Sequence, residues 1–317
     1  MNLRLPADEF VCPACRAPVT ASDDGLRCPG CGAGYPVRGG IARFVPPENY
    51  SKSFGLQWNR HRQTQLDSFV GKPISERRLF ETTGWPREMR GARILEAGSG
   101  AGRFTEVLCH TGATVYSFDY SSAVEANALN NGANPNLRLF QADILAIPLP
   151  HDGFDHVLCL GVLQHTADPE QSFLSLARHV KPGGDLVIDV YRRSLAARLQ
   201  WKYVLRPLTR AMDPDRLQKI VDQLVPPLVA PTRWLRHVAG RAGARLSPIV
   251  EYSHLGLTSE QNLQWALLDT FDMYAPAHDL PQTAGAVRRW FSEAGFESVE
   301  VFNGANGIVG RGRRPCA

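Results

Sequence analysis

The middle of the chain alternates short apolar runs with mixed segments of helical length. Residues 92–95, 113–119, 137–141 and the run from Phe154 read as buried strands. Apolar on both sides of the pleat, they suit a parallel sheet covered on both faces. Residues 102–110 read as the helix between the first two strands, and Lys181-Pro182-Gly183-Gly184 as the turn into a fifth strand. After Tyr191 this rhythm stops. Apolar positions at Leu195, Leu199, Trp201, Tyr203, Val204 and Leu208 predict amphipathic helices broken at Pro207, Pro214, Pro226-Pro227 and Pro231. A helix over 283–294 and two strands, 297–302 and 307–313, close the chain, with Asn303 to Gly307 as a glycine-rich reversal.

The chemistry concentrates where the first strand ends, at Glu96-Ala97-Gly98-Ser99-Gly100-Ala101-Gly102. Glycines at alternate positions let the backbone turn tightly and approach a ligand, and the helix that follows points its positive end there. A dinucleotide fingerprint starting at Gly98 would need a third glycine at 103, where Arg103 stands. The pattern E-x-G-x-G-x-G resembles motif I of the class I S-adenosylmethionine-dependent methyltransferases. The neighbours agree with the resemblance. The second strand ends in Asp119, placed to bind ribose hydroxyls; the third runs into Asp143-Ile144; the fourth leads to Gly161-Val162-Leu163-Gln164-His165. It implies an α/β fold with a doubly wound, mostly parallel seven-stranded sheet and a terminal antiparallel hairpin. It also implies cofactor contacts from Glu96, Gly98, Gly100, Gly102, Asp119, Asp143, Ile144 and Gly161. Segments before the first strand often cover the cofactor in this family, which nominates Gln57 and Trp58.

Cys12, Cys15, Cys28 and Cys31 form two C-x-x-C knuckles separated by twelve residues. That spacing suits a closed tetrahedral zinc site, structural because no coordination position stays open; a pair of disulfides is the alternative. The stretch resembles the small zinc-binding activator that partners tRNA and ribosomal methyltransferases. Its ending, Gly39-Gly40-Ile41-Ala42, departs from that family's Asp-Gly-Ile-Pro, so likeness of fold is safer than likeness of role. The expected organisation is a zinc ribbon over 1–45, a linker and N-terminal helical segment over 46–90, and a methyltransferase domain over 91–317 with a helical insertion at 192–255.

Composition is that of an ordinary globular protein, 44% hydrophobic with a net charge of +4. The charge is uneven: residues 192–248 hold twelve Lys and Arg against three Asp, so the remainder is net negative. No apolar run approaches the ~20 residues that span a bilayer. Residues 1–8 lack a signal-like apolar stretch. The expectation is a cytoplasmic protein with no membrane partner, its oligomeric state open. Methyl transfer needs alignment and, for a hydroxyl or ammonium acceptor, a base. His165 is the first candidate, with Tyr191, His254 and Tyr274 behind it; the alternative for His165 is bonding within its loop. Phe54-Gly55-Leu56-Gln57-Trp58, Gly161-Val162-Leu163-Gln164-His165 and Phe271-Asp272-Met273-Tyr274-Ala275-Pro276 resemble a bacterial group of methyltransferases of natural-product and surface-polysaccharide pathways. The resemblance implies methylation of oxygen or nitrogen on a small acceptor, which the basic insertion suggests is anionic. RNA methylation, with the ribbon and basic insertion binding RNA, is the runner-up.

Overall fold

A computed structural model describes residues 7–46, 49–193 and 200–316, and Arg241 by its backbone alone. Pro47 and Glu48 of the expected linker, and Leu195, Arg198 and Leu199 of the insertion, lie outside the described residues. The N-terminal segment forms four short strands, β1 Thr20–Ser22, β2 Gly25–Arg27, β3 Gly34–Arg38 and β4 Ile41–Arg43. Helices α1 Lys52–Arg60, α2 Asp67–Val70 and α3 Ile74–Thr83 follow. The alternating unit is then β5 Arg93–Ala97, α4 Arg103–Cys109, β6 Thr114–Asp119, α5 Ala123–Asn131 and β7 Leu137–Gln141, continuing through β8 Phe154–Leu160, α6 Pro169–Ala177 and β9 Val180–Val190. The insertion supplies α7 Trp201–Thr209 and α8 Pro214–Ala244. Last come α9 Ser259–Tyr274, α10 Ala284–Glu293, β10 Glu297–Asn303 and β11 Ile308–Arg313.

The strands run β7-β6-β5-β8-β9-β11-β10, and the expected arrangement is present: five parallel strands closed by an antiparallel hairpin. The strand count differs from the expectation. Among the described residues the sheet has eleven strands, because β4 pairs in parallel with β7, Ala42 against Phe140, and β3, β2 and β1 continue outward. The physical reason is the β7 edge, whose unpaired N–H and C=O groups need a partner. Arg16 fastens the ribbon from the other side, donating to the carbonyls of Ile147 (2.8 Å) and Leu149 (2.6 Å).

Strict alternation sends Ile94, Val115, Leu139, Leu158 and Val187 to one face of the sheet, against Leu79, Phe104 and Val124. Leu95, Tyr116, Phe140, Val157 and Ile188 point to the other, against Phe173, Trp290, Phe291 and the ribbon's Phe10. A third core joins Leu217, Val221 and Val225 of α8 to Ala266, Phe271 and Tyr274 of α9. There the proline breaks fail as expected boundaries. Pro214 does begin a helix, but Pro207 lies inside α7 and Pro226, Pro227 and Pro231 lie inside α8. Each proline removes a hydrogen bond, yet the stripe packed on α9 holds the turns together. The real break, at Ala239 and Gly240, falls where glycine permits positive φ.

Candidate cofactor and acceptor site

The turn after β5 is held from below and behind. Gly98 and Ser99 donate to the Phe118 carbonyl at 2.8 and 3.0 Å, tying the turn to β6. Gly98 sits at φ +77°, and a methyl group there would overlap the Val162 side chain. Gly102, at φ +87°, meets Asn127 and Asn131 of α5 just as closely, so it is required by helix packing. Glu96 is buried beneath the turn, where one carboxylate oxygen accepts the hydroxyls of Thr105 (2.5 Å) and Ser117 (2.7 Å). Burial drives its pKa up to about 7, against the lowering effect of those two hydroxyls. Neither Glu96 nor Gly102 lines the cavity above them.

That cavity, about 1750 Å³, runs along the carboxyl ends of the strands. One half gathers Gly98, Gly100, Asp119, Asp143 and Ile144. Asp119 accepts the Gly100 N–H (2.9 Å) with one oxygen and the Ser121 N–H and hydroxyl (2.8 and 2.7 Å) with the other. Burial raises its pKa against these bonds. Asp143 caps the single turn that begins at Ile144, accepting from Leu145 N at 2.9 Å. Tyr50, Phe54 and Trp58 cover this half from the segment before the sheet, with the Trp58 indole 3.1 Å from where a Gly100 Cβ would stand. Gln57 does not join them. It is buried, its amide reaching the Leu268 carbonyl at 3.4 Å, and so locks α1 to α9.

The other half collects Gly161, His165, Tyr191, Tyr252, Asp269 and Asp272. Gly161 N–H donates to Asp189 at 2.5 Å, and Asp189 also receives Arg78 at 2.8 Å. His165 Nδ1 lies 3.0 Å from the His278 carbonyl, which can only accept, so Nδ1 carries the proton and Nε2 keeps a lone pair. Burial lowers the pKa of this histidine, opposed by Asp272, leaving it neutral near pH 7. The Tyr191 hydroxyl donates to Asp272 at 3.4 Å, and burial holds it well above its ordinary pKa. Asp269, bonded by the Tyr252 hydroxyl, is raised to about 6 by burial, so this wall titrates near neutrality. His254 stands at the exposed rim. Tyr274 is buried away from the cavity, donating to the Pro248 carbonyl at 2.6 Å.

Asp269, Tyr252 and Arg78 escaped the sequence reading. Asp272 lay within a motif, Phe271-Asp272-Met273-Tyr274, whose chemistry no spacing disclosed. Arg103, which argued against a dinucleotide site, donates to Ser75 (3.1 Å) and Gln65 (2.6 Å) and lines the same wall. Part of the insertion's charge is paired, Lys202 with Asp279 beyond it at 3.0 Å and Arg236 with Glu251 within it.

The two knuckles repeat one geometry. Arg16 N bonds Cys12 O and Gly32 N bonds Cys28 O, with φ of +65° and +78° at those fourth residues. All four sulfurs lie within 4.8 Å of one another, with Cys12–Cys31 at 3.6 Å and Cys15–Cys28 at 3.4 Å. A tetrahedral zinc with bonds of about 2.3 Å needs sulfurs roughly 3.8 Å apart, so this donor set fits one.

Comparison with known proteins agrees with the fold. Residues 95–188 match a methyltransferase domain family. The ubiquinone biosynthesis O-methyltransferases of Pseudomonas fluorescens and Pseudomonas entomophila are each 32% identical over 130 residues, covering 38% of this chain and 56% of theirs. The chain thus spans about half the length of these curated relatives. A chain from the complex of the Haloferax volcanii Trm112 methyltransferase activator with a candidate methyltransferase superposes with a TM-score of 0.51. It is 14% identical, and the match covers 83% of this chain and 98% of that one. The matched family, the strand order and the glycine turn on one sheet edge agree: residues 95–188 form a methyltransferase domain on a Rossmann-like sheet.

Proposed function

We propose that the protein methylates a hydroxyl of a small acceptor held between His165, Tyr191 and Asp272, with S-adenosylmethionine as donor. The observation that carries this reading is the fixed tautomer of His165, whose unprotonated Nε2 belongs to a cavity-lining ring. When bound, the cofactor supplies a methyl group already activated on a sulfonium. Asp119 is the residue to hold its ribose, Asp143 and Ile144 its adenine, and the backbone of Gly98 and Gly100 its close approach. Trp58, Tyr50 and Phe54 exclude water from that half. His165 Nε2 takes the acceptor hydroxyl's proton as its oxygen becomes the nucleophile, and Tyr191 and Asp272 orient the acceptor. Arg192 and Arg245, at the same cavity, suit an anionic substituent on the acceptor. The O-methyltransferase relatives favour oxygen over nitrogen. The cysteines are assigned one structural zinc.

The test is mass-spectrometric detection of methylated product and S-adenosylhomocysteine from matched panels of phenols, sugars, amines and transcribed RNA. Turnover of hydroxyl acceptors is expected, falling about 10²- to 10⁴-fold in His165→Asn. Because the His165 pKa is lowered, activity should hold into mildly acidic solution and fall only as pH drops through that lowered value. Turnover confined to RNA or amines contradicts the proposal.

A further inference from the structure

The core-facing stripe of α8 is Leu217, Val221 and Val225. About a quarter turn away runs a second apolar line, Ile220, Pro227, Pro231, Trp234 and Val238, at spacings that keep one face of a helix. This line is largely open among the described residues: Ile220 is 41%, Trp234 62% and Val238 63% exposed. Past the break, Leu246 is 68% exposed and its carbonyl receives the Trp201 indole N–H at 2.9 Å. That bond brings in the outer line of α7, Trp201, Val204 and Leu208, also exposed. A soluble surface seldom leaves two tryptophans and several aliphatic side chains open in connected lines.

Charge says what covers them. Arg216, Lys219 and Arg233 flank the line on α8, and none forms an ion pair among the described residues. Of the three acids nearby, Asp222 is paired with Arg60 at 2.8 Å and Asp213 with Lys52 at 3.9 Å, while Asp215 forms no ion pair among the described residues and offsets one of the three cations. Residues 192–248 carry the chain's positive surplus while the remainder is net negative. An anionic surface therefore attracts this face and repels the rest, which sets orientation as well as contact. An exposed apolar line with tryptophan, bordered by unpaired cations, is the arrangement of a helix lying in a lipid headgroup layer. No described helix is long and apolar enough to cross the bilayer, so the contact is peripheral.

We propose that α8 and α7 dock the protein on an anionic lipid bilayer. Lys202 and Tyr203 of α7, and Arg245 just past α8, line the cavity, so docking sets the cavity mouth at the membrane surface. This modifies the expectation of a protein without a membrane partner. It is independent of the acceptor's chemistry.

Co-sedimentation of the full chain with phosphatidylcholine vesicles, with and without about one-third phosphatidylglycerol, tests it near 0.1 M salt. Binding to the anionic vesicles and much less to the neutral ones is expected. Trp234→Ser combined with Val238→Asp should abolish binding while leaving thermal unfolding and S-adenosylmethionine affinity unchanged. Each of Arg216→Gln, Lys219→Gln and Arg233→Gln should weaken binding about fivefold. A second readout is the tryptophan blue shift on lipid addition, which Trp234→Phe should diminish. Absence of wild-type binding to anionic vesicles overturns the proposal, as does equal binding by the double variant. A wild-type oligomer that the double variant dissolves, without lipid binding, assigns the line to a second copy instead. Salt-steep RNA binding that needs the cations but not Trp234 and Val238 assigns the face to nucleic acid.

Discussion

Glu96 offers the sharpest separation between supporting the glycine turn and touching the cofactor. It is fully enclosed, accepts Thr105 and Ser117 on one oxygen, and has its pKa raised from an ordinary 4.5 to about 7. The native state therefore binds a proton more tightly than the unfolded chain does. The stability associated with that proton is complete below about pH 4.5 and is lost as pH rises through about 7. The interval corresponds to roughly 3 kcal/mol at ~1.4 kcal/mol per pH unit. Glu96→Gln keeps an acceptor for both hydroxyls and cannot titrate. Asp119 and Asp269 are also raised, so wild-type curves alone would mix the groups; the difference between wild type and variant isolates Glu96. Urea unfolding between pH 4.5 and 8 should show the wild type losing roughly 3 kcal/mol relative to Glu96→Gln as pH rises. Parallel curves would refute the account of a carboxyl held by burial beneath the turn. S-adenosylmethionine affinity should change little, since Glu96 does not line the cavity; a loss of a hundredfold would make it a ligand contact instead.

Two other perturbations read different parts of the molecule. Cys28→Ser should remove the bound metal in elemental analysis and raise hydrogen exchange across β1 to β4, with β5 to β9 staying protected; a full metal complement in the variant contradicts the four-sulfur site. Arg78→Ala leaves Asp189, 1% exposed, without its guanidinium and should cost about 3 kcal/mol or more in urea unfolding, whereas a change below about 1 kcal/mol would show that Gly161 and Asn306 suffice to hold that carboxylate.

Much of this was legible in the sequence because the controlling interactions are local. The β5 turn, the strand ends at Asp119 and Gln141 and the closing hairpin follow from side-chain alternation and glycine placement. The knuckles were legible too, since metal spacing is written in the chain. Three features were not, and each depends on distant partners. The ribbon's merger with the sheet arises from the open β7 edge meeting residues 41–43. From Pro214 to Val238, α8 survives three prolines because packing on α9 offsets the lost bonds. The cavity wall beyond Gly161 joins Arg78, Tyr252, Asp269 and Asp272, which no single window contains. Glu96 and Gly102 teach a related lesson. Both belong to the glycine motif, yet Glu96 is bonded by Thr105 and Gly102 abuts Asn127 and Asn131, so neither lines the cavity above the turn.

The central claim is that the turn over β5 and β6 holds S-adenosylmethionine, and calorimetric titration of the purified chain tests it most directly. Saturable binding to one site is expected for the wild type, with no heat from NADH. Asp119→Ala removes charged hydrogen bonds worth about 1.5–3 kcal/mol and should weaken binding roughly 10- to 150-fold. Gly98→Val, which drives a side chain into Val162 and the turn, should abolish it. No binding by the wild type, or unchanged affinity in both variants, would contradict the assignment.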